Sequence, residues 1–183
     1  MSTTQLAGIA SAFALVAYIP GALGAFIDEL SASLPGERRG KSHLTLMPPR
    51  PLTLAPQTAG DLLSVALSNL GPFEVELTQV LRFPVTDVLY IGLSEGNEQA
   101  HRAHDILNQG IFFHQEPFEY RPHITLMVPR DNADVAQSQQ AAEEQWAQLK
   151  ESRRFLVDRL NLLRQDAGGG WENLRQIPLA GGA

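Results

Sequence analysis

One octapeptide occurs twice in this chain. Residues 43–50 read HLTLMPPR and residues 123–130 read HITLMVPR, so six of eight positions agree across an offset of eighty. With five His and eight Thr among 183 residues, chance supplies a His-x-Thr triplet only about 0.2 times. Two copies sharing a Leu-Met-x-Pro-Arg tail point to an internal duplication, and an internal repeat decides architecture before local propensity does. Each copy alternates as a strand does. His43, Thr45 and Met47 alternate with Leu44 and Leu46, and His123, Thr125 and Met127 with Ile124 and Leu126. Side chains at i and i+2 share a face of a strand. His and Thr are therefore expected to look out together while the Leu and Ile positions face the core. Pro49 and Pro129 lack the N–H that a ladder needs, and are expected to end pairing.

If a pseudo-two-fold axis relates the copies, two His and two Thr face each other across one cleft. That set suits phosphoryl chemistry. Hydrolysis of a phosphodiester needs a base to take a proton from water and an acid to protonate the leaving oxygen. Imidazole titrates near neutrality, so one ring can be neutral while the other is charged. Each such proton transfer contributes typically about 10²–10⁴-fold in rate. Thr hydroxyls can donate to the non-bridging phosphate oxygens. No Asp or Glu lies in either octapeptide, so nothing there asks for Mg²⁺ or Ca²⁺. Two His without a third ligand at suitable spacing fall short of a zinc site. A single His-x-Thr is usually just the polar face of a strand. The second copy changes that reading, because burial alone would repeat the inward residues and leave the outward pair to drift.

Two His-x-Thr-Leu strands at this separation resemble the two-histidine phosphoesterase superfamily, the group that includes the RNA ligase-like cyclic phosphodiesterases. The resemblance extends over nearly the whole chain, to Trp171 and the closing Ile177-Pro178-Leu179. It implies a single domain over residues 1–183, with motif strands near 43–49 and 123–129. It implies a metal-independent phosphodiesterase, with no cofactor, acting on a 2′,3′-cyclic phosphate or a related nucleotide or RNA phosphodiester. His43 and His123 would be the acid–base pair, with His43 leaning to acid and His123 to base, and Thr45 and Thr125 would hold the phosphate. A module that binds a nucleotide or RNA end without turnover, and a reversible 2′–5′ RNA ligase, would use the same residues.

Composition narrows the partners. The chain has one-domain length and, at 44% hydrophobic and 19% charged residues, enough apolar content for a real core. It has no Cys, which excludes disulfides and thiol chemistry and permits an intracellular site; a cytoplasmic monomer is expected. A net charge of −6 argues against duplex DNA as a partner. Yet Arg38, Arg39, Lys41, Arg50, Arg121 and Arg130 all lie within seven residues of a motif His. A positive rim on an acidic body suits a small anion or an RNA end, although Arg38, Arg39 and Lys41 read equally well as a solvated loop.

The remaining pattern predicts the order strand–helix–strand–helix–strand in each half. Residues 6–27 carry no charge, but no Lys or Arg precedes Arg38, and Pro20, Gly21 and Gly24 interrupt the run. That excludes a signal peptide or membrane span in this reading. It divides instead into a buried strand at 13–19 and a helix with Leu23, Phe26, Ile27, Leu30 and Leu34 on one stripe. Residues 88–93 and 97–109 repeat this order, with Ala103, Ile106 and Leu107 inward and Gly110 as terminator. After the first motif, Thr58 to Asp61 resembles a capping box for a helix ending at Leu70. Residues 73–83 form a strand with Phe73, Val75, Leu77, Leu81 and Phe83 inward. After the second motif, Asp131 or Asn132 caps a helix to about Arg153, and 155–164 with 171–179 forms a hairpin around the glycines at 168–170. This order predicts an α+β fold of two pseudo-symmetric lobes, with antiparallel-rich sheets lining a central cleft and helices on the outer faces.

Four further residues are candidates for substrate binding. Tyr120, beside Arg121, suits stacking on a base or donating to a phosphate, or merely marks the rim where the strand begins. Arg50 and Arg130, repeated after each His, suit phosphate contact or the capping of strand ends. Phe112, Phe113 and His114 could shape a base pocket, though Phe pairs are more often core. His101 and His104, one helical turn apart, lack a third metal ligand.

Overall fold

The computed structural model describes residues 12–37, 40–131, 133–166 and 169–180. In chain order the elements are β1 (Ala12–Tyr18), α1 (Gly21–Ser33), β2 (Gly36–Glu37), β3 (His43–Pro51), α2 (Pro56–Ala66), β4 (Phe73–Arg82), β5 (Leu89–Leu93) and α3 (Asn97–Leu107). A 3-10 turn (Gly110–Phe112), β6 (Ile124–Pro129), α4 (Val135–Trp146), β7 (Arg154–Val157), β8 (Arg159–Gln165) and β9 (Trp171–Pro178) complete them. The strands form one antiparallel sheet in the order β7-β4-β5-β6-β3-β1-β8-β9, with β2 added against β6. The fold is α+β.

The sheet has the symmetry of the duplication. Its centre is the pairing of Leu44 with Ile124, where β3 meets β6. Outward from there run β3-β1-β8-β9 on one side and β6-β5-β4-β7 on the other. Each motif strand thus lies beside the strand that precedes its own helix. The helices interlock the halves: α1 lies against β6 and α3 against β3. The stripe on α1 forms as the spacing requires, with Leu23, Ile27 and Leu30 buried and Phe26 packed beside them. Fully burying a side chain such as Ile27 contributes roughly 1.5–3 kcal/mol, so a charge there would detach α1 from the sheet. Gly36 lets β2 lie on β6, since a Cβ would sit 2.1 Å from Met127 Cγ and 2.7 Å from the Val128 carbonyl oxygen.

Several local expectations are corrected. Strict alternation puts Met47 and Met127 beside His and Thr, yet both are in the core with Leu46 and Leu126. The register gives the reason. Leu15 faces Met47 while Val16 faces Thr45, so Leu46 is an extra residue on β3. Leu89 faces Met127 while Tyr90 faces Thr125, so Leu126 is the same extra residue on β6. A β-bulge of this kind breaks the two-residue period, and both motif copies carry it. Nor does Pro49 end its strand: Phe13 pairs with Arg50 and Ala12 with Pro51. A second extra residue at Pro48-Pro49 absorbs the missing donors, as bulges permit.

Thr58 caps nothing. Pro56 opens α2 after Ala55 without a side-chain bond, and Asp61 pairs with Arg175 of β9 instead. The helix ends at Ala66, short of Leu70. Asp134 caps α4, its Oδ1 accepting from the Gln137 N–H at 3.0 Å, while Asn132 lies outside the described residues. The helix stops at Trp146, not near Arg153, because the chain turns back there. The Trp146 indole donates to the Thr78 carbonyl at 2.7 Å, and the Arg153 guanidinium lies 4.8 Å over the same ring. Residues 155–164 divide at Asp158, β7 joining β4 and β8 joining β1 and β9. A register shift between Leu77 and Val80 buries Val80 and leaves Leu81 and Phe83 half-buried. Among the described residues no helix is long and apolar enough to cross a membrane.

Candidate active site

The central pairing decides the geometry. Leu44 pairs with Ile124 in an antiparallel register, so His43 and Thr125 flank that pairing on one side and Thr45 and His123 on the other. All four side chains are half-buried and lie on the face opposite Leu44 and Ile124, which are fully buried. Each His therefore lies on the same side of the central pairing as the other half's Thr. A small polar cavity of about 10 Å³ is lined by both His43 and Thr125, together with Asp28, Ser31, Lys41 and Ser42.

Both imidazoles are held alike. His43 Nδ1 donates to the Lys41 carbonyl at 2.7 Å, and His123 Nδ1 to the Arg121 carbonyl at 2.6 Å. A carbonyl only accepts, so each ring keeps a proton on Nδ1, and Nε2 is the nitrogen that gains or loses one as the ring titrates. The lead-in to His43 is anchored by Asp28 of α1, whose Oδ1 accepts the Ser42 N–H at 2.6 Å. The electrostatics differ between the rings. Burial pushes the His123 pKa below its ordinary value, the Arg121 carbonyl opposes this, and charge on His43 lowers it further. The last effect requires the two rings to be near one another.

Aromatic rings wall the His123 side. Phe83 and Tyr90 stack with centroids 4.0 Å apart, and His123 stands edge-on to them at 5.0 Å and 5.5 Å. On the other side Tyr18 stands edge-on to His43 at 6.3 Å. The sequence reading missed Tyr18, Phe83, Tyr90 and Asp28. Tyr90 had a usable signal, a lone phenol within an otherwise apolar strand beside the motif strand.

The four substrate-binding candidates part company. Arg50 is interior, with a side chain 1% exposed. Its Nε donates to the Pro48 carbonyl at 3.1 Å, one terminal nitrogen to Asn108 Oδ1 at 2.7 Å and the Phe112 carbonyl at 2.8 Å, and the other to Glu116 Oε1 at 2.6 Å. Those donors are spent inside the protein, which corrects the reading of Arg50 as a phosphate ligand. Arg130 does not mirror it: its side chain is exposed, and its carbonyl accepts from Ala133 N–H at 3.0 Å. Arg121 is exposed, 3.8 Å from Glu119, and serves the site through its carbonyl. Tyr120 gives its hydroxyl to the Thr45 carbonyl at 2.8 Å, so that donor does not serve a phosphate. Its ring stacks on His104 with centroids 3.9 Å apart, and His101 meets its edge at 5.3 Å. Phe112 is core, Phe113 is exposed, and Arg38 and Arg39 lie outside the described residues. Among the described residues no three His, Cys, Asp or Glu side chains gather as a metal group.

Solved structures share this architecture. Escherichia coli LigT in its apo form aligns with a TM-score of 0.64 and 17% identity, over 93% of this chain and 98% of that one. Kluyveromyces marxianus Usb1 aligns with a TM-score of 0.56 and 12% identity, over 93% and 99%. LigT has been solved with NADP⁺, 3′-AMP, ATP and phosphate, and Usb1 with uridine monophosphate. In sequence, the Geobacillus kaustophilus protein named "Putative phosphoesterase GK0864" is 27% identical over 144 residues, 73% of this chain and 80% of that protein. A namesake from Geobacillus sp. strain WCH70 is 28% identical over 143 residues, with the same coverage. Residues 19–169, both motif strands included, match the 2′-5′ RNA ligase superfamily, and the chain belongs to that family.

Proposed function

We propose that this protein is a metal-independent phosphodiesterase acting on a 2′,3′-cyclic phosphate or a related nucleotide or RNA phosphodiester. The observation that carries the reading is the pair of Nδ1-anchored imidazoles, one from each motif strand, beside the single pairing of Leu44 with Ile124. The phosphate would sit over that pairing, its non-bridging oxygens taking hydrogen bonds from Thr45 and Thr125. His123, whose pKa burial lowers, takes a proton from the attacking water at Nε2. As the water oxygen bonds to phosphorus, the opposite P–O bond to the ribose breaks, and His43 gives its Nε2 proton to the leaving oxygen. The ring-opened product is a phosphomonoester, and exchange with solvent returns both rings to their starting states. Neither half holds both imidazoles, so the two halves act as one domain.

The ligands in the LigT and Usb1 structures, adenine nucleotides and uridine monophosphate, support a nucleotide or RNA end as substrate. The stacked Phe83 and Tyr90 rings suit a neighbouring nucleoside. The family's name favours a second direction, the joining of RNA ends through a 2′–5′ linkage, which is the same proton exchange in reverse. The test is hydrolysis of 2′,3′-cyclic AMP in EDTA across pH, with a bell-shaped profile expected. Full activity in both His43→Ala and His123→Ala would end the proposal.

A further inference from the structure

The two motif histidines are approached differently. In the first half, Asp28 lies eight residues beyond the α1 N-cap Pro20, and it holds Ser42, next to His43. That anchor stays within one half. The matching position on α3, eight beyond the N-cap Gly96, is His104. His104 stacks flat on Tyr120, at an interplanar angle of 5°, and its Nε2 bonds Glu116 Oε1 at 2.9 Å. The same Glu116 oxygen takes the 2.6 Å ion pair from Arg50 of β3. Tyr120 then reaches across to the first half and donates to the carbonyl of Thr45. One residue further on, the Arg121 carbonyl holds His123 Nδ1. Thr45 and His123 flank the Leu44–Ile124 pairing on the same side.

We infer that Tyr120 is a positioning residue, a strut that fixes His123 of one half against Thr45 of the other; this rests on the proposed phosphodiesterase reading. The strut is rigid for stated reasons. Its ring is clamped by His104 and His101, and the clamp is fastened to β3 through Glu116 and Arg50. Its O–H stays a donor, because burial first, and then the charges of Glu116 and Asp105, push the phenol well above its ordinary range. A base displaced by about 1 Å from its reaction geometry can lose roughly 10²-fold in rate. Fixing that distance is what the hydrogen bond would contribute.

Tyr120→Phe tests this, since it keeps the stacked ring and deletes the donor. The readouts are kcat and KM for 2′,3′-cyclic AMP in EDTA, and the titration of both His Cε1–H signals by NMR. The expected result is a kcat lower by roughly ten- to a hundredfold with KM within about twofold. The His123 titration should move and that of His43 should hold. His104→Leu, which loosens the ring but leaves the hydroxyl, should give a smaller loss of the same kind, and it carries the test should Tyr120→Phe fail to fold. An unchanged kcat with an unmoved His123 signal would overturn the inference, as would equal shifts at both His, which mark general loosening. A wild-type protein inert on every cyclic phosphate would count against the phosphodiesterase reading alone, because the NMR arm decides the strut without turnover.

Discussion

Replacing Arg50 separates a structural role from a phosphate contact. Arg50→Met keeps the length of the side chain and removes its charge and donors. It leaves Glu116, whose side chain is 13% exposed, without its 2.6 Å cation. Breaking a buried pair in this way typically costs about 3–5 kcal/mol. The Phe112 carbonyl and the part-buried Pro48 carbonyl also lose their partner, whereas Asn108 Oδ1 still accepts from His114 N–H at 2.9 Å, so at most two neutral losses are added, within the spread of that figure. A total near ~4 kcal/mol, at about 2–4 °C per kcal/mol for a chain of this size, lowers Tm by roughly 8–16 °C. In urea, with a slope of about 2.5 kcal/mol/M, the midpoint falls by about 1.6 M. Glu116→Gln added to Arg50→Met should recover part of the loss, because the stranded carboxylate is gone. At a temperature where the variant is folded, KM for a cyclic nucleotide should stay within about threefold. An unchanged urea midpoint joined to a KM raised more than about tenfold would refute this reasoning and return Arg50 to the phosphate.

Three other expectations follow from the site. Because the folded-state pKa of His123 is depressed, its contribution to stability is complete above the unfolded value near 6.5 and is lost as pH falls through the folded value; urea midpoints from pH 7.5 to 5 should lose that component in His123→Gln, and an identical pH slope in the variant would contradict it. Phe83→Ala opens the apolar wall beside His123 and lets water in, so the His123 titration midpoint should rise; an NMR titration showing no rise would mean that the wall does not cause the depression. Asp28→Ala removes a carboxylate accepting a part-buried N–H. It should cost about 1.5–3 kcal/mol in a urea melt and lower kcat through His43, and a variant matching wild type in both would sink the anchor.

What the sequence made legible followed from the repeat. Duplicated His-x-Thr strands imply two halves meeting at a pseudo-two-fold, and the Leu44–Ile124 pairing is where they meet. The α1 stripe was legible because a 3.6-residue period survives tertiary context. What stayed hidden depended on register. The bulges at Leu46 and Leu126 turn Met47 and Met127 into the core, and nothing in a single strand announces an extra residue. Arg50 and Arg130 look alike in sequence and diverge in space, since Glu116, Asn108 and the Phe112 carbonyl gather only around Arg50. Phe83 read as core because it sat on an alternating stripe, and a register shift in β4 moved it beside His123. Tyr120 reads from the sequence as a partner for a base or a phosphate, whereas its hydrogen bond runs to a backbone carbonyl 75 residues away, a partner no local pattern records.

The central claim is that His43 and His123 act as one unit on one phosphate. A double-mutant cycle measures that directly. Single-turnover hydrolysis of 2′,3′-cyclic AMP in EDTA would be followed for wild type, His43→Ala, His123→Ala and the double variant. The account predicts a loss of at least about 10²-fold in each single variant, and a double variant little slower than either, since an acid without its base has no concerted step to serve. Losses that multiply in the double variant, or a single variant at wild-type rate, would contradict it.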